Sequence, residues 1–247
     1  MPSWFLPVNL ALLGAVFGSF IAALCSRWPN GESICTGRSR CDQCASNIAA
    51  YDLIPIFSFV LLKGKCRACG EKIGAMPLLV EVVAISIGTV PAVFLPPIQA
   101  IGAAIFGWLL LPLFVLDWRH FWLPDRLLIL LAISGPLAGM LLNPSLTWLD
   151  RGVGMAAGFA SLEAIRISFK RWHGYEGMGA GDPKLFGALG IWVGWQALPI
   201  ILLGASAIGL CLILVTRTTL TQSPNLLPFG SYLCGSAYLF ATLAYLL

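Results

Sequence analysis

Charge is scarce in this chain. Only 11% of its 247 residues are Asp, Glu, Lys or Arg, against roughly 25% in soluble domains. With 58% of residues hydrophobic, the sequence reads as an integral membrane protein. The apolar stretches are long and rich in Leu, Ile, Ala, Gly and Trp, which argues for helices and against a barrel. A net charge of +4 is too small to point to nucleic acid. Walker loop, dinucleotide fingerprint and Gly-x-Ser-x-Gly are all missing, which removes the usual sequence marks of nucleotide binding and serine hydrolysis. No Lys or Arg precedes Arg27, so the first apolar run lacks the positive flank of a cleaved signal peptide and reads as a span. No convincing internal repeat is present, which argues against an ion-coupled transporter.

The expected fold is an all-α polytopic membrane protein with about eight transmembrane helices, at residues 4–24, 78–95, 98–116, 127–142, 152–169, 185–198, 200–215 and 229–247. A span needs about 20 residues, so the sixth run is short and is expected to be tilted, re-entrant or shielded by neighbours. Basic residues set the orientation. Arg27, Arg38, Arg40, Lys63, Lys65, Arg67 and Lys72 lie between the first two spans; alternate loops add Arg119 and Arg126, then Lys170, Arg171 and Lys184, then Arg217. The opposite side has only Arg151, beside Asp150. Both termini are therefore expected outside and the large first loop in the cytoplasm. Asp117, Asp125 and Asp182 all fall on the cytoplasmic side of that arrangement.

Cys41-Asp42-Gln43-Cys44 and Cys66-Arg67-Ala68-Cys69 are separated by 21 residues. Two such pairs match a four-thiolate zinc site, each tight turn supplying two ligands. Gly70 follows the second pair, where a turn needs a permissive backbone. A loop of about 50 residues builds little core of its own, so a metal staple makes physical sense. Disulfides or a redox pair are the competing readings; a reducing cytoplasm disfavours disulfides. Cys25, Cys211 and Cys234 lie in apolar segments and read as packing residues. Cys35 has no assignment.

Among the few carboxylates, Asp182 stands out. It ends Gly177-Met178-Gly179-Ala180-Gly181-Asp182 and is followed by Pro183-Lys184. An ionisable group at a membrane boundary is costly and marks a functional site by default. Alternate glycines let a neighbouring chain approach closely, as an extended substrate must. Asp117 closes another apolar run. It sits at the negative end of a helix dipole, which suits a carboxyl that carries a proton at neutral pH. Two carboxyls at one membrane face can share a proton and activate water. Asp125 reads more readily as the cap of the next helix. His120 and His173 stand alone in basic boundary segments and read as surface residues. Glu163 and Arg166 lie three apart and can pair on one helix face. Glu81 lies just inside the second span and reads either as a buried partner for a basic group or as part of a second site. Gly14/Gly18, Gly135/Gly139, Gly154/Gly158 and Gly190/Gly194 read as helix-packing sites.

Taken in order, these residues resemble the type IV prepilin peptidase family. The resemblance runs through Gly18-Ser19-Phe20, Arg27, Pro29, Ser39-Arg40-Cys41, Cys44, Ile54-Pro55, Ser58, Gly64-Lys65-Cys66 and Cys69. It continues through Leu79-Val80-Glu81, Asp117, Leu123-Pro124-Asp125, Glu176-Gly177-Met178-Gly179, Gly181-Asp182, Lys184, Pro228-Phe229-Gly230 and Tyr232-Leu233. It implies a GxGD-type aspartic protease of the bacterial inner membrane, with Asp117 and Asp182 as the catalytic pair and Gly177, Gly179, Gly181, Lys184 and Asp125 in support. Its substrates would be prepilins or type II secretion pseudopilins, cut after a glycine at the cytoplasmic face. It implies a first helix at 1–26, a zinc-binding loop at 27–76 held by Cys41, Cys44, Cys66 and Cys69, and a peptidase core at 77–247. Many members also N-methylate the new N-terminus with S-adenosylmethionine, a role to which Glu81 is assigned here. The chain departs from the family pattern at Ala22 (usually Asn), at Met76-Pro77-Leu78 (usually Arg-Tyr-Pro) and at Ser231 (commonly Pro). None of these is expected to touch the aspartate pair. The first two fall in or beside the loop linked to methylation. The rival reading is a non-enzymatic scaffold using the zinc loop, with Asp117 and Asp182 far apart or paired with basic side chains.

Overall fold

A computed structural model describes residues 2–32, 40–41, 44–53, 55–217 and 227–244. Cys35, Arg38, Ser39, Asp42, Gln43 and Ile54 lie outside the described residues. Among the described residues the regular structure is helical: α1 Phe5–Arg27, α2 Phe57–Leu61, α3 Met76–Phe94, α4 Pro97–His120, α5 Asp125–Leu142, α6 Trp148–His173, α7 Gly181–Val193, α8 Leu198–Arg217 and α9 Phe229–Leu243. Each apolar run expected from sequence coincides with one of these helices; α2 is an addition within the first loop. Among the described residues, five stretches are long and apolar enough to cross a bilayer: Phe5–Asn30, Met76–Phe94, Pro97–His120, Asp125–Leu142 and Trp195–Val215. Large apolar side chains such as Leu137, Leu149 and Leu203 are more than two-thirds exposed, as lipid-facing residues are.

The chain divides into two compact units, Met1–Val93 and Phe94–Leu247. In the first, α1 buries Leu10, Gly14, Gly18, Ile21, Leu24 and Cys25, one face at helical spacing. Gly14 and Gly18 lie against the α3 backbone: a Cβ at Gly14 would stand 2.5 Å from the Ala84 carbonyl, and one at Gly18 2.8 Å from Glu81 Cα. Among its described residues the segment between these helices is largely irregular and contains α2.

In the second unit, α7 is the enclosed element. Its 13 residues reach about 20 Å, short of a hydrocarbon layer of about 30 Å. Leu185–Val193 are nonetheless buried throughout, because α5, α6 and α9 surround the helix. The sixth run is thus shielded by its neighbours. Closest approach is to α6, where Gly154 faces Gly190 and Gly158 faces the Phe186 and Gly187 backbone. These pairings run antiparallel, and any side chain at Gly154 or Gly190 would overlap a carbonyl of the opposite helix. Trp192, fully buried, donates its indole N–H to the Leu131 carbonyl on α5 at 2.8 Å.

Arg151 accounts for a detail of the charge pattern. It is buried in the second turn of α6 and donates to the carbonyls of Ile191 (2.9 Å), Gly139 (3.1 Å) and Asn143 (2.8 Å). Those groups end α7 and α5, where helix carbonyls lack internal partners. Each would cost about 1–3 kcal/mol if left unsatisfied in the interior. The one basic residue on its side of the expected topology is therefore built into the packing.

Candidate active site

Three helix ends meet in the second unit. Asp117 lies in the last turn of α4, Asp182 is the second residue of α7, and Ser231 is the third residue of α9. Both carboxyls are buried, each 6% exposed. Asp182 feels the charge of Asp117, and the buried Cys234 feels both. Leu123, in the α4–α5 connection, lies against the first residues of α7 and α9. A Cβ at Gly181 would stand 2.8 Å from Leu123 Cβ, and one at Gly230 2.9 Å from Leu123 Cδ1 and 3.1 Å from Asp117 Cγ. Gly181 and Gly230 are thus required by proximity. Among the described residues neither carboxyl is paired with Arg or Lys, which removes the arrangement the scaffold reading required.

The two carboxyls have different partners. Asp117 Oδ2 accepts the Ser231 backbone N–H at 2.6 Å and the Ser231 hydroxyl at 3.0 Å. That hydroxyl also reaches the Phe114 carbonyl at 3.0 Å, so its single proton is shared between two acceptors. Asp182 accepts from the Gly179 N–H. The motif's alternate glycines divide the work: Gly177 lies flat against the Phe169 ring, Gly179 serves the carboxyl and Gly181 clears Leu123. The loop before α7 is tied to α6. Glu176 pairs with Lys170 at 2.8 Å and Arg166 at 3.8 Å, and Arg166 also holds Glu163 at 2.7 Å. Lys170, beside Glu176, holds that carboxyl below its ordinary range.

Asp125 is not the cap of α5. It is the first residue of that helix, Pro124 occupies the capping position, and no side chain caps the end. Its carboxylate instead accepts from Lys184 Nζ at 2.6 Å, joining the first turns of α5 and α7 at the surface. His120 and His173 are exposed, as expected; the His173 ring stacks on Phe169 at 4.2 Å. Ser231, a departure from the family pattern expected to leave the aspartate pair untouched, instead donates twice to Asp117 and was missed as a functional candidate. The available signal was Pro228-Phe229-Gly230-Ser231, a helix start with small residues, but nothing in sequence says which carboxyl such a start meets.

In the first unit, the Sγ atoms of Cys41, Cys44, Cys66 and Cys69 all lie within 4.8 Å of one another, and Cys41 and Cys69 are 4.0 Å apart. Four thiolates at 2.3 Å from one tetrahedral ion stand about 3.8 Å apart, so the donor set fits zinc. The two halves are copies of one turn. Ala45 N–H bonds to Cys41 carbonyl and Gly70 N–H to Cys66 carbonyl, both at 2.9 Å; Cys41 N–H bonds to Ser46 carbonyl and Cys66 N–H to Glu71 carbonyl. Bridges Arg40–Asn47 and Lys65–Lys72 close them. Every partner is displaced by 25 residues, 41 to 66 and 47 to 72. Ala45 and Gly70 both take positive φ, 55° and 73°. The Cys44 thiol is lowered to about 6 by the Ser46 hydroxyl and backbone beside it, and Cys66 is lowered by the Cys69 and Ala68 N–H groups. Such donors to sulfur favour the thiolates a metal requires.

Glu81 is 8% exposed and accepts the Ile56 N–H at 2.8 Å, with the Ser19 hydroxyl as second donor. Ile56 has a positive φ of 60°, rare for a β-branched residue; the bond to Glu81 holds it there. Cys25 and Cys234 are buried as expected, whereas Cys211 is exposed on α8.

Comparison with known proteins bears on both units. Residues 12–94 match the model of the bacterial peptidase A24 N-terminal domain, and residues 104–214 that of the type IV leader peptidase family. The chain is similar to a prepilin leader peptidase/N-methyltransferase of Aeromonas salmonicida strain A449, 38% identical over 79% of this chain and 68% of the relative. It is similar to proteins of the same description from Klebsiella pneumoniae (37%, covering 80% and 89%) and Pectobacterium carotovorum (34%, covering 87% and 85%). No solved structure matches the chain.

Proposed function

We propose that this chain, which belongs to the type IV prepilin leader peptidase/N-methyltransferase family, cuts prepilin-type substrates with Asp117 and Asp182. The observation that carries this is the meeting, at three helix ends, of two buried carboxyls that pair with no basic side chain among the described residues. Buried like-charged carboxyls do not both ionise readily, so one holds a proton while the other is charged. The charged partner takes a proton from water as the oxygen attacks the scissile carbonyl, and the protonated partner supplies a proton to the carbonyl oxygen. Collapse of the tetrahedral species returns the proton held by the first to the leaving amine. The glycine segment 177–181 would lie beside the substrate's extended stretch, and the bilayer would hold its apolar helix.

The finer topology belongs to the same proposal. The eight helices that coincide with apolar runs cross the inner membrane eight times, with both termini outside and the pair at the cytoplasmic face. Bound zinc would sit among Cys41, Cys44, Cys66 and Cys69 as a closed structural centre, leaving no open position for substrate. S-adenosylmethionine, where N-methylation is retained, supplies an electrophilic methyl group. Glu81 is the residue suited to face its sulfonium or the substrate's amine: a buried carboxylate whose partners among the described residues are neutral donors.

The test is incubation of the purified protein in detergent with a prepilin-like peptide, reading cleavage and added mass. Asp117→Asn and Asp182→Asn should each lower cleavage by roughly a thousandfold or more while leaving the helical spectrum unchanged. Substantial cleavage by either variant removes that residue from the mechanism. A product about 14 Da heavier than the bare mature N-terminus reports methylation, and its loss in Glu81→Ala supports the Glu81 assignment.

A further inference from the structure

Resting on the catalytic pair just proposed, we infer that its roles are not interchangeable: Asp117 is the charged member that takes the proton from water, and Asp182 is the protonated acid. From sequence, Asp117 sits against the dipole of its own helix, which favours a protonated carboxyl. The fold adds a second helix. The first turn of α9 is aimed at Asp117, and both the Ser231 N–H and the Ser231 hydroxyl converge on Oδ2, at 2.6 and 3.0 Å. Donors and a helix N-terminus stabilise the ionised form. Among the described residues Asp182 accepts from the Gly179 N–H and faces the Asp117 charge; it also lies in the first turn of α7, so a helix N-terminus serves both carboxyls and the two Ser231 donors make the difference.

No other charge reverses this order. On α9, Tyr232 and Cys234 are neutral neighbours that feel Asp117. On α7, Lys184 is occupied by Asp125 of α5. Arg126 opens α5 with an exposed side chain, and Arg119 and His120 at the end of α4 are exposed too. The cycle balances. Asp117 gains a proton from water and Asp182 gives one to the carbonyl oxygen as the C–O bond forms. Asp117 then gives its proton to the amine nitrogen and Asp182 recovers one from a hydroxyl of the gem-diol as the C–N bond breaks. Both carboxyls end as they began.

Ser231 is therefore a positioning residue that sets the acid limb of the pH profile. The test measures kcat/KM against pH for the full-length protein, Ser231→Ala and Ser231→Pro, with the same prepilin-like peptide. Alanine removes the hydroxyl. Proline also removes the N–H and stands in a first helical turn, where it is tolerated. With fewer donors, Asp117 needs a higher pH to stay charged. The acid limb should move up by about half a pH unit in Ser231→Ala and about one unit in Ser231→Pro, with the alkaline limb in place. A dyad titrates as a pair, so the limb that moves identifies the member that ionises first. Movement of the alkaline limb, or a uniform loss of rate with neither limb moved, overturns the assignment; Ser231→Ala decides it alone if the proline variant does not fold. Failure of the dyad itself is a separate outcome, read as cleavage surviving in Asp117→Asn or Asp182→Asn.

Discussion

The thiol cluster and the carboxyl pair are held by opposite means. Around the thiols the backbone is irregular, with positive φ at Ala45, Ile56, Lys63, Gly64 and Gly70. Large apolar side chains there, Tyr51, Phe57, Val60 and Leu61 among them, are about 60% exposed. What organises the segment is a small set of polar links: two copies of one cysteine turn, a two-pronged Arg67–Asp52 bond whose guanidinium holds Asp52 below its ordinary range, and the Glu81–Ile56 bond. Around the carboxyls the packing is mostly apolar, with Ser231 and the Gly179 N–H as their polar partners. The α7 backbone meets the α6 backbone through glycine, and the helix that carries Asp182 is buried from Leu185 to Val193. A loop without a core depends on its ligand, and a site inside a bundle depends on packing.

Gly190→Val tests the packing side and should have the larger effect. Its side chain would overlap the Gly154 carbonyl, which is backbone and cannot rotate away, so α6 and α7 must separate. We expect a loss of about 3 kcal/mol or more in stability and cleavage lowered by roughly a hundredfold, since small displacements are costly at a catalytic pair. A Cβ at Gly152, two residues before Gly154, would meet nothing within 4 Å. Gly152→Ala should therefore match the parent in thermal unfolding and in rate. Equal behaviour of the two variants would break the claim that α7 is positioned by backbone contact.

Cys44→Ser, or removal of metal by a strong chelator, tests the ligand side. Losing one of four thiolates should release the metal and raise tryptic nicking at Lys63, Lys65, Arg67 and Lys72 by roughly tenfold, with helix content unchanged. Elemental analysis of the freshly purified protein should find one zinc per chain. Metal-free protein with all four thiols alkylating freely would end the zinc reading. Helix loss on chelation would show instead that the two regions are not separately held.

What was legible in the sequence follows the same division. Apolar runs, cysteine spacing and the Gly177–Asp182 motif depend on local pattern, and they located the helices and the four sulfurs. Contacts between distant segments were not legible. Asp125 has the right residue type for a cap, and only the fold shows that Lys184, 59 positions away, takes its carboxylate. Arg151 entered the sequence reading only as the one basic residue of its side, because sequence cannot show that the ends of α5 and α7 converge on it. Ser231 was visible as a departure from a family pattern, without its acceptor 114 positions earlier. The dipole argument for Asp117 used one helix where two act.

The smallest expected effect concerns the start of α6, which belongs to the packed unit but is held by polar bonds as the cysteine loop is. Thr147 and Asp150 form a reciprocal capping box: the Thr147 hydroxyl accepts the Asp150 N–H at 3.1 Å, and Asp150 Oδ2 accepts the Thr147 N–H at 3.1 Å. Asp150 Oδ1 also accepts the indole N–H of Trp195 and the amide of Gln196, at 3.1 and 3.2 Å. The Thr147 hydroxyl and N–H, then Gln196 and Trp195, lower the Asp150 carboxyl below its ordinary 3.8. A carboxyl lowered by folding adds stability that is fully present above the unfolded value and is lost as pH falls through the folded one. Asp150→Asn keeps the shape and removes the charge. Because the site is exposed, its melting midpoint should lie only about 2 °C below the parent at pH 7. The two curves should converge as pH falls below about 4. A gap that persists undiminished at pH 3 would mean that hydrogen-bond geometry, and not the Asp150 charge, holds this helix end.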